Sequence, residues 1–184
     1  MMKVLCFGDS NTYGYDPCSF LGGRYPEQFR WVDLLGVNAI NAGQNGREIP
    51  DRAGVLERLL EIHRPDLLVI MLGTNDLLKG LDPSQVCAEM ERFLYGIPFA
   101  RSRILLVSPP VMKLGAWVPS RDLVDASREL AGHYKELAGC LGVRFAEAGE
   151  CALTYDGVHL TEEGHVSLAG KLSCQMRSDS NDEF

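Results

Sequence analysis

A doubly wound α/β fold built on a five-stranded parallel sheet is what the sequence predicts. Two observations carry it: five short apolar runs without a polar face, the pattern of strands buried on both sides, and helical segments that alternate with them. Lys3 to Phe7 reads as the first strand. Gly8 to Gln28, rich in Gly, Pro and Asp, reads as a long loop, and Phe29 to Leu35 as a short helix. Val37 to Asn41 is the second strand, ending at the turn-prone Asn41-Ala42-Gly43. From about Pro50 to His63, apolar residues at Ala53, Leu56, Leu59 and Leu60 keep a helical spacing that Pro65 stops. Asp66 to Leu72 is the third strand, with Gly73-Thr74-Asn75-Asp76 as its loop. Asp82-Pro83 opens a helix to about Tyr95, proline standing just inside the start. Arg103 to Val107 is the fourth strand, closed by Ser108-Pro109-Pro110, and Val111 to Pro119 is a second loop. Arg121 to Leu141 is a long helix, Val143 to Phe145 the last strand, and Thr161 to about Met176 the closing helix. Ligands of such sheets bind beyond the carboxyl ends of the strands. Ser10, Asn41 to Gly46, Gly73 to Asp76 and Ser108-Pro109 all follow such ends and gather on one rim.

At 184 residues the chain fits one domain. Residues 1–176 are read as that domain and 177–184 as a polar, acidic tail expected to be disordered. Hydrophobic residues at 46% and charged residues at 23% exclude disordered and fibrous classes. A net charge of −7 without a Lys/Arg run leaves out the cationic stripe that nucleic acid or an anionic membrane surface requires. The longest apolar run, Leu67 to Leu72, is far short of the roughly 20 residues that span a bilayer. Met1-Met2-Lys3 shows neither a signal h-region nor a cleavage site, so a cytoplasmic protein is expected. No C-x-x-C motif occurs among the six cysteines, which are read as plain thiols.

Ser10 follows the first strand through the turn Gly8-Asp9, a placement suited to an exposed hydroxyl nucleophile. Such a serine needs a base, an orienter for the base and donors for an oxyanion. Of four histidines, His63, His133 and His165 lie on predicted helices and read as surface or packing residues. His159 lies in the loop Tyr155-Asp156-Gly157-Val158-His159, where Asp156 can fold behind the imidazole while Nε2 faces the serine. Candidate oxyanion donors on the same rim are the N–H groups of Ser10 and Gly46 and the amide of Asn75. Thr12 stands where a G-x-S-x-G elbow requires glycine, which disfavours the α/β-hydrolase fold.

Gly8-Asp9-Ser10, Asn41 to Gly46, Gly73-Thr74-Asn75-Asp76 and Asp156-Gly157-Val158-His159 together resemble the four successive blocks of the SGNH (GDSL-type) hydrolases, over nearly the whole chain. The resemblance implies a flavodoxin-like three-layer α/β/α sandwich and hydrolysis of a small-molecule ester without metal or cofactor. It also implies Ser10 as nucleophile, His159 as base, Asp156 as orienter, and Ser10, Gly46 and Asn75 as the oxyanion hole. Arg30-Trp31, Asn45-Gly46-Arg47 and Val107-Ser108-Pro109-Pro110 look most like the arylesterase and acyltransferase branch. Glu48 and Ile49 depart from the threonines usual there, and Asn11 stands where the GDSL name has leucine. Asp9, Arg30, Trp31 and Trp117 are candidate substrate-contacting residues, and modest loop lengths favour small acyl groups. Acyl transfer to an alcohol, a carbohydrate or lysophospholipid acylesterase with the same triad, and a non-catalytic flavodoxin-like module cradling phosphate or flavin at Gly8 to Gly14 stay open. So does oligomeric state, a homo-oligomer included.

Overall fold

In the computed structural model, which describes residues 2–19 and 22–178, the chain alternates strand and helix from end to end. β1 (Lys3–Gly8), β2 (Asn38–Gly43), β3 (Leu67–Met71), β4 (Ile104–Ser108) and β5 (Arg144–Glu147) form one sheet in the order β2-β1-β3-β4-β5. Every pairing is parallel. The helices are α1 (Ser10–Tyr13), α2 (Gly54–His63), α3 (Thr74–Leu78), α4 (Pro83–Tyr95), α5 (Arg121–Leu141) and α6 (Glu162–Ser178). Strand order reverses between β1 and β3, the flavodoxin-like arrangement, so a crevice opens at the carboxyl end of β1.

Period-two alternation sends the strand side chains into two cores. Leu5, Phe7, Leu68, Ile70 and Leu106 face α2, α4 and α5, which supply Leu56, Leu60, Val86, Met90, Phe93, Leu130 and Tyr134. Val4, Cys6, Val69, Met71, Leu105 and Val107 face the other way, onto Trp31, Val32, Leu35 and the α6 residues Leu168 and Leu172. α4 starts at a complete capping box, Asp82 with Gln85, and α5 starts at the cap Ser120. Both helices have the boundaries expected from sequence. The six cysteines are free thiols, and no described helix is long and apolar enough to cross a membrane.

The differences have local causes. β2 runs two residues past Asn41, because the parallel ladder with β1 holds to Gly8 and Gly43. Asn41 turns no corner; its side chain donates to Thr12 O (2.8 Å) and accepts from Gly43 N (3.0 Å). The expected loops after β1 and β3 each begin with a short helix, α1 and α3. The expected helix from Phe29 to Leu35 is instead two 3₁₀ turns, Glu27–Phe29 and Asp33–Leu35, separated where Trp31 and Val32 enter the core. α2 starts only at Gly54, with Ala53 at its N-cap, and the segment before it already buries Ile49 in the core. α6 continues through Ser178, and residues 179–184 of the expected tail lie outside the described residues.

At Gly43 the backbone of β2 meets α1 so closely that a Cβ would overlap Tyr13 N and Thr12 C. Relief requires moving either β2, which is paired with β1, or α1, which carries Ser10. Gly43→Ala is expected to cost about 2–3 kcal/mol. A fall in denaturant midpoint at unchanged m-value checks this.

His165 of α6 is fully buried, accepts a 3.4 Å hydrogen bond from Trp31 N through Nδ1, and meets Tyr25 edge-on. Burial, assisted by the Arg30 cation, lowers its pKa to about 4. Because the folded value lies below the ordinary 6.5, the unfolded chain binds the extra proton first. Stability from this group is complete above about pH 6.5 and is lost as pH falls through about 4. Denaturation curves from pH 7 to pH 4 are expected to show His165→Asn losing about 2–3 kcal/mol less than wild type. Parallel losses in both proteins count against it.

Candidate active site

Ser10 is the first residue of α1, so its N–H has no acceptor within the helix. Asp9 caps that helix by accepting from Asn11 N (2.9 Å). Ser10 Oγ lies 3.0 Å from His159 Nε2, and His159 Nδ1 lies 2.7 Å from Asp156 Oδ2. Asp156 Oδ1 accepts from the N–H groups of Val158 (2.9 Å) and His159 (3.0 Å) and from Thr154 Oγ1 (2.8 Å). Burial pushes the Asp156 carboxyl up, but these donors together with the imidazole outweigh it and hold the group below the usual carboxylate range. All three side chains are buried, the carboxylate and imidazole almost completely.

The Asp156 loop is held from two sides. The loop after β4 donates from Lys113 N to Gly157 O (2.9 Å), from Ala116 N to Tyr155 O (3.2 Å) and from Trp117 N to Asp156 O (3.0 Å). Contact is so close that a Cβ on Gly157, itself at φ +82°, would strike Lys113 O. From the other side, Asn11 donates to Val158 O (3.1 Å) and accepts from Leu160 N (2.9 Å).

Gly46 and Asn75 face Ser10 across a pocket of about 230 Å³ that Tyr15, Asn45, Trp117 and His159 also line. The loops that carry them are cross-linked. Asn75 Nδ2 donates to Arg47 O (3.0 Å), which uses one amide hydrogen and leaves the other, and Ile49 N donates to Asp76 Oδ1 (3.0 Å). Arg47 reaches back to Gly8 O (2.8 Å) and lies over the Phe7 ring, 4.1 Å from its centroid. Glu48, one of the two departures in this block, pairs with Lys79, while Ile49 enters the core.

Of the four candidate substrate-contacting residues, only Trp117 lines the pocket; it is 55% exposed and meets the His159 ring edge-on at 5.4 Å. Trp31 is wholly buried and fixes Asn11 O through its indole N–H (3.0 Å), a packing role. Arg30 is buried between Glu27 and Asp33 and does not reach the pocket. Asp9 lies beneath the site, not in its wall, and burial lifts its carboxyl to about 6 despite the lowering effect of the Asn11 N–H. Sequence reasoning missed Tyr15, whose ring lies 4.8 Å from that of His159, and the clasp made by Asn11. For Tyr15 the available signal was its place in the long loop Gly8 to Gln28, which was expected to shape the pocket; for Asn11 it was adjacency to Ser10. Among the described residues no three His, Cys, Asp or Glu side chains are grouped as metal ligands.

Comparison with known proteins places the whole chain beside one family of esterases. The model of the GDSL-like lipase/acylhydrolase family matches residues 6–166. A curated arylesterase from Vibrio mimicus is 27% identical over 114 residues, 57% of this chain, and the match spans about half (53%) of that relative. A provisional arylesterase from Agrobacterium tumefaciens str. C58 superposes with a TM-score of 0.84 at 30% identity, covering 97% of this chain and 99% of that one. A carbohydrate acetylesterase from Sinorhizobium meliloti superposes with a TM-score of 0.80 at 28% identity, covering 97% and 99%. The native aryl esterase of M. smegmatis does so with 0.80 at 29% identity and the same coverage. With a family match running from β1 into α6, the chain belongs to the GDSL-like lipase/acylhydrolase family.

Proposed function

We propose that the protein is a serine ester hydrolase that removes small acyl groups from carboxylic esters through an acyl-enzyme. The observation that carries this reading is the continuous relay from Ser10 Oγ through His159 to Asp156, opening on the pocket that also holds Gly46 and Asn75. His159 Nε2 takes the hydroxyl proton as Ser10 Oγ bonds to the acyl carbon. The carbonyl oxygen gains charge and is met by the N–H groups of Ser10 and Gly46 and the free amide hydrogen of Asn75. Collapse breaks the bond to the alcohol, whose oxygen receives the proton from Nε2. Water then attacks the acyl-enzyme by the same route and releases the acid. Asp156, kept ionised by its four donors, stabilises the imidazolium and fixes its tautomer.

The rival phosphate or flavin cradle fares worse on electrostatics. The Asn11 N–H at the start of α1, which an anion would seek, is already taken by the Asp9 carboxylate. Small acyl groups are supported by the volume of the pocket, about 230 Å³, which the alcohol must share.

Ser10→Ala and His159→Ala are each expected to lower kcat for phenyl acetate by at least about 10³-fold, and Asp156→Asn by about 10³–10⁴-fold. Wild-type turnover by Ser10→Ala overturns the mechanism. In a series of phenyl esters, kcat/KM is expected to be highest for two to four acyl carbons, about 10-fold or more above octanoate. Fastest turnover of the long chains defeats the small-acyl reading.

A further inference from the structure

The acid half of the reaction fixes where the alcohol must stand. Nε2 of His159 can protonate the departing oxygen only from within about 2.6–3.2 Å, so the first atoms of the alcohol lie beside the imidazole. The oxyanion, by contrast, is drawn toward Gly46 and Asn75. Two aromatic rings flank that imidazole in the pocket. Tyr15 lies 4.8 Å away at an interplanar angle of 60°, and Trp117 lies 5.4 Å away at 78°. Any group carried by the departing oxygen falls within reach of both rings.

Trp117 is an unusual residue for its place. It is a large apolar side chain left 55% exposed, yet its backbone is pinned by the hydrogen bond from its N–H to Asp156 O and by the neighbouring turn between Gly115 and Val118. On a fixed backbone and half-covered, an indole with only two side-chain torsions offers a ring surface at low entropic cost. We propose that Tyr15 and Trp117 form the alcohol subsite and hold a ring-bearing alcohol, whether aryl or pyranosyl, against His159. This assignment rests on the triad reading above. It makes the enzyme selective for the alcohol side of the ester through ring contact, and it places both residues in acylation, since the alcohol has left before water attacks.

The test compares Trp117→Ala, Tyr15→Leu and Trp117→Phe with wild type on phenyl acetate, an O-acetylated methyl pyranoside and ethyl acetate. Trp117 is half exposed, so its replacement leaves the core untouched. Trp117→Ala and Tyr15→Leu are expected to lower kcat/KM for a ring-bearing ester about 5- to 20-fold and for ethyl acetate no more than about 2-fold. Trp117→Phe recovers most of the loss. Phenyl acetate, propionate and butyrate are expected to suffer alike. A loss confined to the phenyl ester identifies a phenol-like alcohol, and a loss confined to the pyranoside identifies a sugar. Equal losses on all three alcohols, or losses that follow acyl length at fixed phenol, overturn the proposal. If Ser10→Ala still hydrolyses these esters, the triad reading itself has failed; if it is inactive and the alcohols lose equally, only the subsite has.

Discussion

One buried amide joins the two ends of this chain. Asn11, next to the candidate nucleophile, donates to Val158 O and accepts from Leu160 N, the residues on either side of the candidate base. Both donor and acceptor capacities of a single planar group are used, so the clasp sets distance and orientation together. Trp31 fixes it in turn by donating its indole N–H to Asn11 O. This clasp ties the stretch that carries Ser10 to the one that carries His159, whose side chains meet at 3.0 Å although 149 residues apart. A leucine at position 11 could not make it.

Much of the fold was legible because its signals are local. Asp82-Pro83 marks the start of α4, its proline bringing a fixed φ to the first turn, and α5 runs from Arg121 to Leu141 as its sequence suggests. The triad candidates were legible for a similar reason, since Ser10 follows a strand and Asp156 and His159 share one short turn. What could not be read was decided by partners distant in sequence. Asn41-Ala42-Gly43 has the composition of a turn, yet β1 holds it in the sheet to Gly43. Trp31 and Trp117 look alike as loop tryptophans; burial against α6 claims the first and the edge of a pocket the second. Tyr15 belongs to no periodic pattern, and the meeting of the β1 and β5 loops is what sets its ring beside His159.

Two buried ionisable groups flank the site and act in opposite senses. Asp9, with its folded pKa raised to about 6, contributes stability that is complete below about pH 3.8 and is lost as pH rises through about 6. His165 contributes stability that is lost as pH falls from about 6.5 through about 4. Their windows overlap, so on acidification the proton gained by Asp9 offsets the one His165 resists. Neither group belongs to the relay, which leaves the Asp156–His159 pair as the electrostatic centre of the pocket.

Three consecutive hydrogen bonds bind the backbone of 113–117 to that of 155–157, with a glycine on the inner side where nothing larger fits. A guest at the pocket mouth therefore cannot displace Trp117 by bending its loop without pulling on the peptide of Asp156. Whatever adjustment it makes is confined to the two side-chain torsions of the indole. The indole is a shutter hung on a fixed frame: the only freedom is in the panel, and the backbone that carries Asp156 keeps its place.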